Sequence, residues 1–260
     1  MANTIKHKRG TSNPGASDLA VGELAINTSD GGVFTKTDGG SVVEVGSNSS
    51  GGLSNNSSET DSLGVGGNAL DSETSGSKNT GIGASALTAV TDGFENTAVG
   101  ALAGTSSVSS IRSSYFGFNA GKFQTGNVNV GIGAYCLEGV SGSSTASGNV
   151  AIGARALQGV TSGASNTAIG YQALEDNTSA GYNVAIGDQA LKDNLTGGKN
   201  VAVGYDVLSG NTEGEYNVGI GASALTANTS ADFNVAVGPS ALGSTTTGGQ
   251  NCALGYGALL

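Results

Sequence analysis

The sequence predicts an all-β protein, in which a small N-terminal β-meander module is followed by a parallel β-solenoid of about twelve coils. The first indication is composition, since 46 of the 260 residues are Gly while 37% are apolar. Collagen needs glycine at every third position, and flexible linkers lack apolar residues, so neither class fits. The second is a segment, Asn-Val-Ala-Ile-Gly-Asp-Gln-Ala-Leu at 183–191, that recurs throughout residues 61–260.

The glycine of this segment, called the marker glycine below, keeps a regular spacing. Nine of its eleven intervals are 17 residues long, and the other two are 16 and 20. The apolar part of each repeat is shorter than the ~10 to 12 residues expected of a helix, which favours stacked coils. Coils ~4.8 Å apart would form a rod about 50 Å long. The marker glycines of coils 1 to 12 are Gly66, Gly83, Gly100, Gly117, Gly133, Gly153, Gly170, Gly187, Gly204, Gly221, Gly238 and Gly255.

Each column of the repeat has its own residue type. Directly before the marker glycine stands Val or Ile in ten of twelve coils, which predicts a buried strand ladder. The residue before that is Ala or Gly in every coil but one, where it is Tyr115, so little room is expected on that face. Ala and Leu dominate the third and fourth positions after the glycine, which predicts a second buried corner.

Two columns predict turns. Asn stands four residues before the marker glycine in ten coils, where its amide is expected to bond backbone or its own copy in the next coil. The marker glycine itself is expected to have a positive φ, which would strain a residue with a Cβ.

Charge and cysteine content restrict the function. The formal net charge of −10 disfavours nucleic acid as a partner. No run of 18 apolar residues and no signal peptide is found, so membrane insertion is not expected. Cys136 and Cys252 lie seven coils apart and cannot bond to each other within one chain. Both replace small apolar residues and are expected to be buried thiols.

Residues 1–46 lack the 17-residue period and form a separate module. Strands are predicted at 5–9, 22–27, 33–37 and 42–45, with turns at the Asp-Gly-Gly sequences between them. Residues 47–60, rich in Ser, Asn and Gly, are predicted to be a flexible linker.

The motifs IKHKRG at 5–10, GELAINTSDGGVFTKTDGG at 22–40 and VVEVG at 42–46 resemble the N-terminal module of bacteriophage tail fibres and of receptor-binding proteins of the major tropism determinant type. The segment NTAIGYQAL at 166–174 is similar to the Asn-x-Ala-Ile-Gly repeats of phage fibres and, more distantly, of trimeric adhesin heads. The first resemblance implies virion attachment through residues 1–46, and a homotrimer.

The resulting expectation is a tail-fibre component of the virion, with phage tail or baseplate proteins as partners and a shaft involved in host-surface recognition. A parallel homo-oligomer, with three chains as the preferred number, is also expected on energetic grounds, because each coil buries only about two large side chains against the entropy of ordering seventeen residues. A bacterial cell-surface adhesin is the alternative, although the usual adhesin export signal and membrane anchor are not found. The regular last coil, which lacks a polar cap, suggests a processed or truncated chain.

No catalytic, cofactor or metal-binding motif is found, and no enzyme activity is expected. A polysaccharide-cleaving β-helix would need two carboxylates converging on one groove, whereas acids such as Glu138, Asp188, Asp206 and Glu213 fall in different columns. An ice-binding solenoid would need regular Thr ladders. Thr is expected to stand in different columns in different coils, so an ice-binding role is not favoured.

Several side chains remain candidates for contacts with partners. Exposed aromatic ladders stack on sugars, so a host-surface glycan is a candidate ligand. Coils 3 and 4 replace Leu by Gly104 and Gly121 and gain aromatic residues, and residues 141–148 carry an insertion; local repacking is the preferred interpretation and a docking patch the alternative. The basic run at residues 6–9 is interpreted mainly as a solvated strand end. The candidate receptor or partner contacts are Tyr171, Asp188, Tyr205, Tyr182, Tyr216, Tyr115 and Phe118, and the candidate virion-docking residues are Lys6, Lys8 and Arg9. Phe233 continues the aromatic ladder of Tyr182 and Tyr216.

Overall fold

The computed structural model describes residues 7–10, 24–27, 33–36, 42–44, 53–54 and 61–259. These residues form strands and turns, and no helix occurs among them. A helix able to cross a membrane is accordingly not found in this part of the chain.

The N-terminal module contains a four-stranded sheet of β1 (His7–Gly10), β2 (Leu24–Asn27), β3 (Val33–Lys36) and β4 (Val42–Glu44). The pairs β2–β3 and β3–β4 are antiparallel, as a meander requires, but β1 and β2 are parallel. The prediction of a simple meander is therefore wrong for the first strand. The thirteen residues between β1 and β2 are too many for a tight hairpin, and they allow the chain to return in the same direction.

The solenoid prediction is confirmed, because twelve three-residue strands stack in sequence order into one parallel sheet. Each strand pairs with its counterpart in the next coil without a register shift, even across the 16- and 20-residue coils. The strands are β6 (Leu63–Val65), β7 (Thr80–Ile82), β8 (Thr97–Val99), β9 (Ser114–Phe116), β10 (Val130–Ile132), β11 (Val150–Ile152), β12 (Thr167–Ile169), β13 (Val184–Ile186), β14 (Val201–Val203), β15 (Val218–Ile220), β16 (Val235–Val237) and β17 (Cys252–Leu254).

A further short strand, β5 (Leu53–Ser54), covers the first edge of this sheet. It pairs with β6 in the antiparallel direction, Leu53 opposite Val65 and Ser54 opposite Gly64. The strand lies inside the stretch 47–60 that was predicted to be a linker, and the rest of that stretch lies outside the described residues. At least part of the connector therefore belongs to the solenoid sheet.

The interior of the solenoid is filled by Ala and Leu, as predicted. Leu at the fourth position after the marker glycine is fully buried from coil 1 through coil 10 wherever it occurs, and the neighbouring Ala column is buried with it. The middle residue of each strand, which is Ala or Gly in every coil but coil 4, also points inward and is buried in all twelve coils. At Gly81 an added Cβ would lie 3.3 Å from Leu70 Cγ, which shows how little space this face leaves.

The predicted burial of the Val and Ile column is wrong for the single chain. In a strand, successive side chains point to opposite faces, so an inward middle residue turns both of its neighbours outward. Ile132, Ile186 and Ile220 are accordingly 42%, 37% and 40% exposed. The apolar ladder therefore lies on the outside of the solenoid.

The marker glycines and the Asn column behave as predicted. Every marker glycine has a positive φ, between 112° and 140°. In a representative rung, Asn200 Nδ2 donates to the Gly214 carbonyl at 2.7 Å, and Asn200 Oδ1 accepts the backbone N–H of Asn217 at 2.9 Å. The amides thus link each coil to the next through both backbone and side chain. Where Ser113 replaces Asn, its Oγ still accepts the backbone N–H of Asn129.

Two further ladders were not predicted. Asn177, Asn194, Asn211 and Asn228 form a second amide ladder, seven residues after the marker glycine, with side-chain bonds of 2.7 to 3.1 Å between neighbours. A Thr column follows it, so the statement that Thr changes column is wrong. Its hydroxyls donate to backbone carbonyls of the next coil, as Thr178 does to Leu195 at 2.9 Å. The column comprises Thr74, Thr91, Thr125, Thr145, Thr161, Thr178, Thr212, Thr229 and Thr246.

The irregular coils 3 and 4 are locally repacked, which confirms the preferred interpretation of their sequence. Tyr115 points inward from β9 and is fully buried. A Cβ on Gly104 would lie 3.1 Å from its ring, and a Cβ on Gly121 would overlap it. The tyrosine ring therefore occupies the volume that two Leu side chains fill elsewhere.

Candidate functional site

The outward side chains of β6–β17 form a continuous apolar surface, here called the apolar strip. It consists of the residues one and three positions before each marker glycine, and none of them is fully buried. Twenty of its 24 positions carry Leu, Val, Ile, Phe or Cys, and the remaining four carry Thr or Ser. With twelve strands about 4.8 Å apart and two columns in width, the strip measures on the order of 500 Å². The largest apolar patch on a typical monomer is about 300 to 600 Å² and often functional, so the strip is a candidate interaction surface.

The strip carries no charged side chain, although the formal net charge of the chain is −10. Charged residues lie in the turns instead. One example is Glu95, which accepts a hydrogen bond from Arg112 Nε at 2.8 Å and lies 4.0 Å from Lys78 Nζ. The hydrogen bond from Arg112 lowers the pKa of Glu95. The strip is therefore an apolar band on an otherwise acidic rod.

A second surface, here called the aromatic column, borders the strip directly before the Asn column. Its rungs are Tyr182, Lys199, Tyr216 and Phe233, one per coil. Tyr216 and Phe233 are stacked, with ring centroids 5.0 Å apart and an interplanar angle of 12°. Lys199 Nζ lies 4.4 Å from the Tyr216 ring centroid and hydrogen-bonds its hydroxyl. That hydrogen bond raises the pKa of Lys199, so its positive charge is retained.

Tyr171, Asp188 and Tyr205 occupy the opposite border of the strip, directly after the marker glycine. All three side chains are exposed, Tyr171 at 47% and Tyr205 at 56%. Asp188 stands between the two tyrosines in the column, so their rings are two coils, or about 10 Å, apart. These residues form an intermittent row, whereas Tyr216 and Phe233 are in direct contact.

The structure separates the aromatic candidates of coil 4. The prediction that Tyr115 contacts a partner is wrong, because its ring is buried in the core. Burial also raises its pKa to about 12. Phe118 is 45% exposed and makes an edge-to-face contact with Tyr135, with centroids 5.4 Å apart. It therefore remains available to a partner.

The two cysteines differ in their surroundings. Cys136 is fully buried in the Ala column, and burial raises the pKa of its thiol to about 12. Cys252 is exposed, which contradicts the prediction that both thiols are buried. It is the first residue of β17, and it points outward onto the apolar strip as the first residue of each strand does. The column of Cys252 in the repeat does not show which face of the strand its side chain is on, so its exposure could not be predicted from the sequence.

Lys8 and Arg9 lie in β1, and Lys6 lies outside the described residues. Among the acids, Glu138 accepts bonds from Asn119 at 3.1 Å and Gln158 at 2.7 Å and thereby bridges neighbouring coils. Within the described part of the chain, no group of three or more His, Cys, Asp or Glu could hold a metal ion.

No protein-family model, curated protein or solved structure matches this chain.

Proposed function

We propose that this protein is a structural component of a phage tail fibre, in which residues 1–46 attach to the tail and the solenoid forms the rigid shaft of a parallel homotrimer involved in host-surface recognition. The apolar strip is the observation that carries this proposal. A rod that exposes at least one apolar side chain of the strip in every coil is suited to bundle with rods of the same length and spacing. A second copy of the chain meets both conditions.

Charge and spacing favour self-association over other partners. The rows of the strip repeat with the spacing of the sheet, so equivalent rows of parallel copies meet along the full rod. Acidic turns remain at the outside of such a bundle, where they are hydrated and do not oppose one another across the contact. Membrane and nucleic acid are less suitable partners for an acidic rod.

The strip supports association, whereas the number of chains and the virion context come from the resemblance of residues 5–46 and of the repeats to trimeric phage fibres. A stiff, non-catalytic shaft is consistent with the absence of a recognised catalytic motif in the sequence. The Asn ladders supply this stiffness, because every rung is bonded to the next through side chains as well as backbone.

Light scattering on the purified chain tests the assembly. A trimer has three times the chain mass of 25.1 kDa, about 75 kDa. Ile186→Glu places a charge in the strip and is expected to shift the particle toward the single-chain mass, because the burial of an unpaired charge costs several kcal/mol. Thr196→Glu is the matched control: it adds the same charge at an exposed turn of the same coil, outside the strip, and should leave the mass unchanged.

A single-chain mass for the unmodified protein would refute the proposed assembly. The virion role is tested separately, by immunogold electron microscopy with an antibody raised against residues 1–46. Gold at the tail of phage particles is the expected result, and gold confined to a bacterial surface would favour the adhesin alternative.

A further inference from the structure

We propose that a groove beside Phe233 binds a short neutral saccharide. The groove has a volume of about 390 Å³ and lies between the turns of coils 10 and 11. The groove is shallow and open to solvent, so it would contact a ligand of a few sugar rings on one side only. The lining residues are Ser230, Ala231, Asp232, Phe233, Thr247, Gly249 and Gln250.

Phe233 supplies the apolar part of the site. Its ring is stacked on Tyr216 through one face, and the side chain is still 53% exposed. Because the aromatic column continues toward coil 12 with Gln250 rather than another ring, the second face of Phe233 has no aromatic neighbour there. A flat, exposed ring supported from behind suits the C–H face of a pyranose.

Polar residues line the same groove. Ser230 and Thr247 contribute hydroxyls, Gln250 an amide, and Asp232 a carboxylate. One oxygen of Asp232, Oδ1, accepts the backbone N–H of Glu215 at 2.7 Å, which holds the carboxylate in place. Its other oxygen has no hydrogen bond within the described residues and is able to accept one from a sugar hydroxyl.

Glycine keeps the groove open at its floor. A Cβ on Gly249 would lie 2.7 Å from the Asp232 carbonyl oxygen, so a larger residue there would force the two turns apart. The Asp232 carbonyl accepts the N–H of Gln250 at 3.0 Å across this close approach. At Gly249 the groove is therefore lined by backbone rather than by a side chain.

Charge argues for a neutral ligand. Asp232 and the nearby Glu215 are both acidic, and the formal net charge of the chain is −10, so an anionic polysaccharide would be repelled. A cationic peptide is the competing class, since a cation can also lie over an aromatic ring. The two classes differ in salt dependence and in their need for the carboxylate charge.

Saturation-transfer NMR on the full chain tests the inference with chitotetraose, cellotetraose and maltotetraose at about 10 mM, enough to detect millimolar affinity. At least one saccharide is expected to bind, with affinity unchanged between low and moderate salt. Phe233→Ala should weaken that binding about tenfold. Tyr205→Ala removes a similarly exposed ring from the other border of the strip and should have no effect.

Asp232→Asn separates the two ligand classes, because Asn keeps the Oδ1 acceptor for Glu215 and removes the charge. A saccharide should tolerate this change within about threefold, whereas a cationic ligand should lose most of its affinity. Lack of binding by all three saccharides would overturn the inference, as would equal losses in Phe233→Ala and Tyr205→Ala. Tetralysine binding that disappears in salt and in Asp232→Asn, without saccharide binding, would do the same.

The biological meaning of this saccharide site rests on the proposed host-recognition role, but saccharide binding itself does not depend on that role. Groove binding is measured per chain, and assembly is measured by light scattering, so either result can fail without the other. Circular dichroism of Phe233→Ala establishes that the solenoid remains folded, and Phe233→Leu tests whether the ring face or only apolar bulk is needed.

Discussion

At ten of the twelve marker glycines, an added Cβ would lie less than 3.0 Å from the backbone of the next coil; the exceptions are Gly204 and, in the last coil, Gly255. At Gly187, where φ is 137°, an added Cβ would overlap the carbonyl oxygen of Gly204 in the next coil. The restriction is double, since both the backbone conformation and the neighbouring coil exclude a methyl group. The 17-residue recurrence of glycine is a direct consequence of this contact.

Gly187→Ala is expected to destabilise the solenoid by about 2 to 6 kcal/mol. Backbone strain and overpacking each contribute about 1 to 3 kcal/mol. Urea unfolding followed by circular dichroism measures the change. Gly67→Ala is the control, because a Cβ at Gly67 meets nothing within 4 Å and φ there is not strained; its stability should stay within about 0.5 kcal/mol. Equal effects of the two changes would contradict this account of the column.

The structural role of a column could be predicted where the recurrence of its residue type has a single physical explanation. A glycine that recurs through eleven intervals indicates positive φ, and a recurring Asn indicates an amide ladder, and both predictions are confirmed. The second ladder at Asn177, Asn194, Asn211 and Asn228 had the same signal, four Asn at 17-residue spacing, but it occupies only part of the rod. Its short run made it less visible than the first.

At the scale of the coil, the interior holds a fixed volume that different side chains can share. Leu87 and its equivalents fill it in regular coils, with φ near 52°, in the left-handed region that Leu rarely adopts. In coils 3 and 4 Tyr115 fills it instead, and glycine occupies both Leu positions. Three substitutions in two columns therefore form one packing unit.

Tyr115→Ala is expected to cost about 3 to 5 kcal/mol, because it leaves a large cavity in the core. Adding Gly104→Leu and Gly121→Leu should recover more than half of that loss, since Leu is accommodated at these positions in the regular coils. In the presence of Tyr115, the same two Leu substitutions should destabilise the protein, because their side chains would overlap the ring. Chemical denaturation of the four combinations measures the coupling; additive effects would show that these residues do not share one space.

At the scale of the strand, the sequence did not show which side chains point into the interior and which point outward. Val and Ile before the marker glycine are equally suited to a buried strand and to an interface, because both environments favour β-branched side chains. The choice depends on which neighbour points into the narrow interior, and Ala or Gly does so here. The same ambiguity led to the wrong prediction for Cys252.

At the scale of the whole molecule, parallel and antiparallel bundles of this rod differ in the position of Cys252, which lies on the strip in the last strand. In a parallel bundle the Cys252 residues of neighbouring chains lie at the same height. In an antiparallel bundle each would lie opposite the first coils of its neighbour, on the order of 50 Å from another Cys252. This native thiol therefore reports the orientation of the chains.

A short bismaleimide is expected to join chains through Cys252 and give a covalent dimer on a denaturing gel. Cys136 should not react in the folded protein, because it is buried and its pKa is raised to about 12. Cys252→Ser should abolish the product, and Thr196→Cys in that background should not restore it, because position 196 lies outside the strip. A trimer by light scattering that fails to cross-link through Cys252 would argue against the parallel arrangement.

The antiparallel strand β5 has a consequence for the rod as a whole. A parallel stack of near-identical rungs is a template, since each exposed end offers the hydrogen-bonding groups that another rung would use. Leu53 and Ser54 of β5 pair with β6 in the antiparallel direction and so occupy the hydrogen-bonding groups at this edge of β6. The edge that remains is a strand of only two residues, and its direction does not match that of the other rungs. Head-to-tail growth into an endless filament is thereby discouraged at that end, so a self-repeating sequence keeps a defined length.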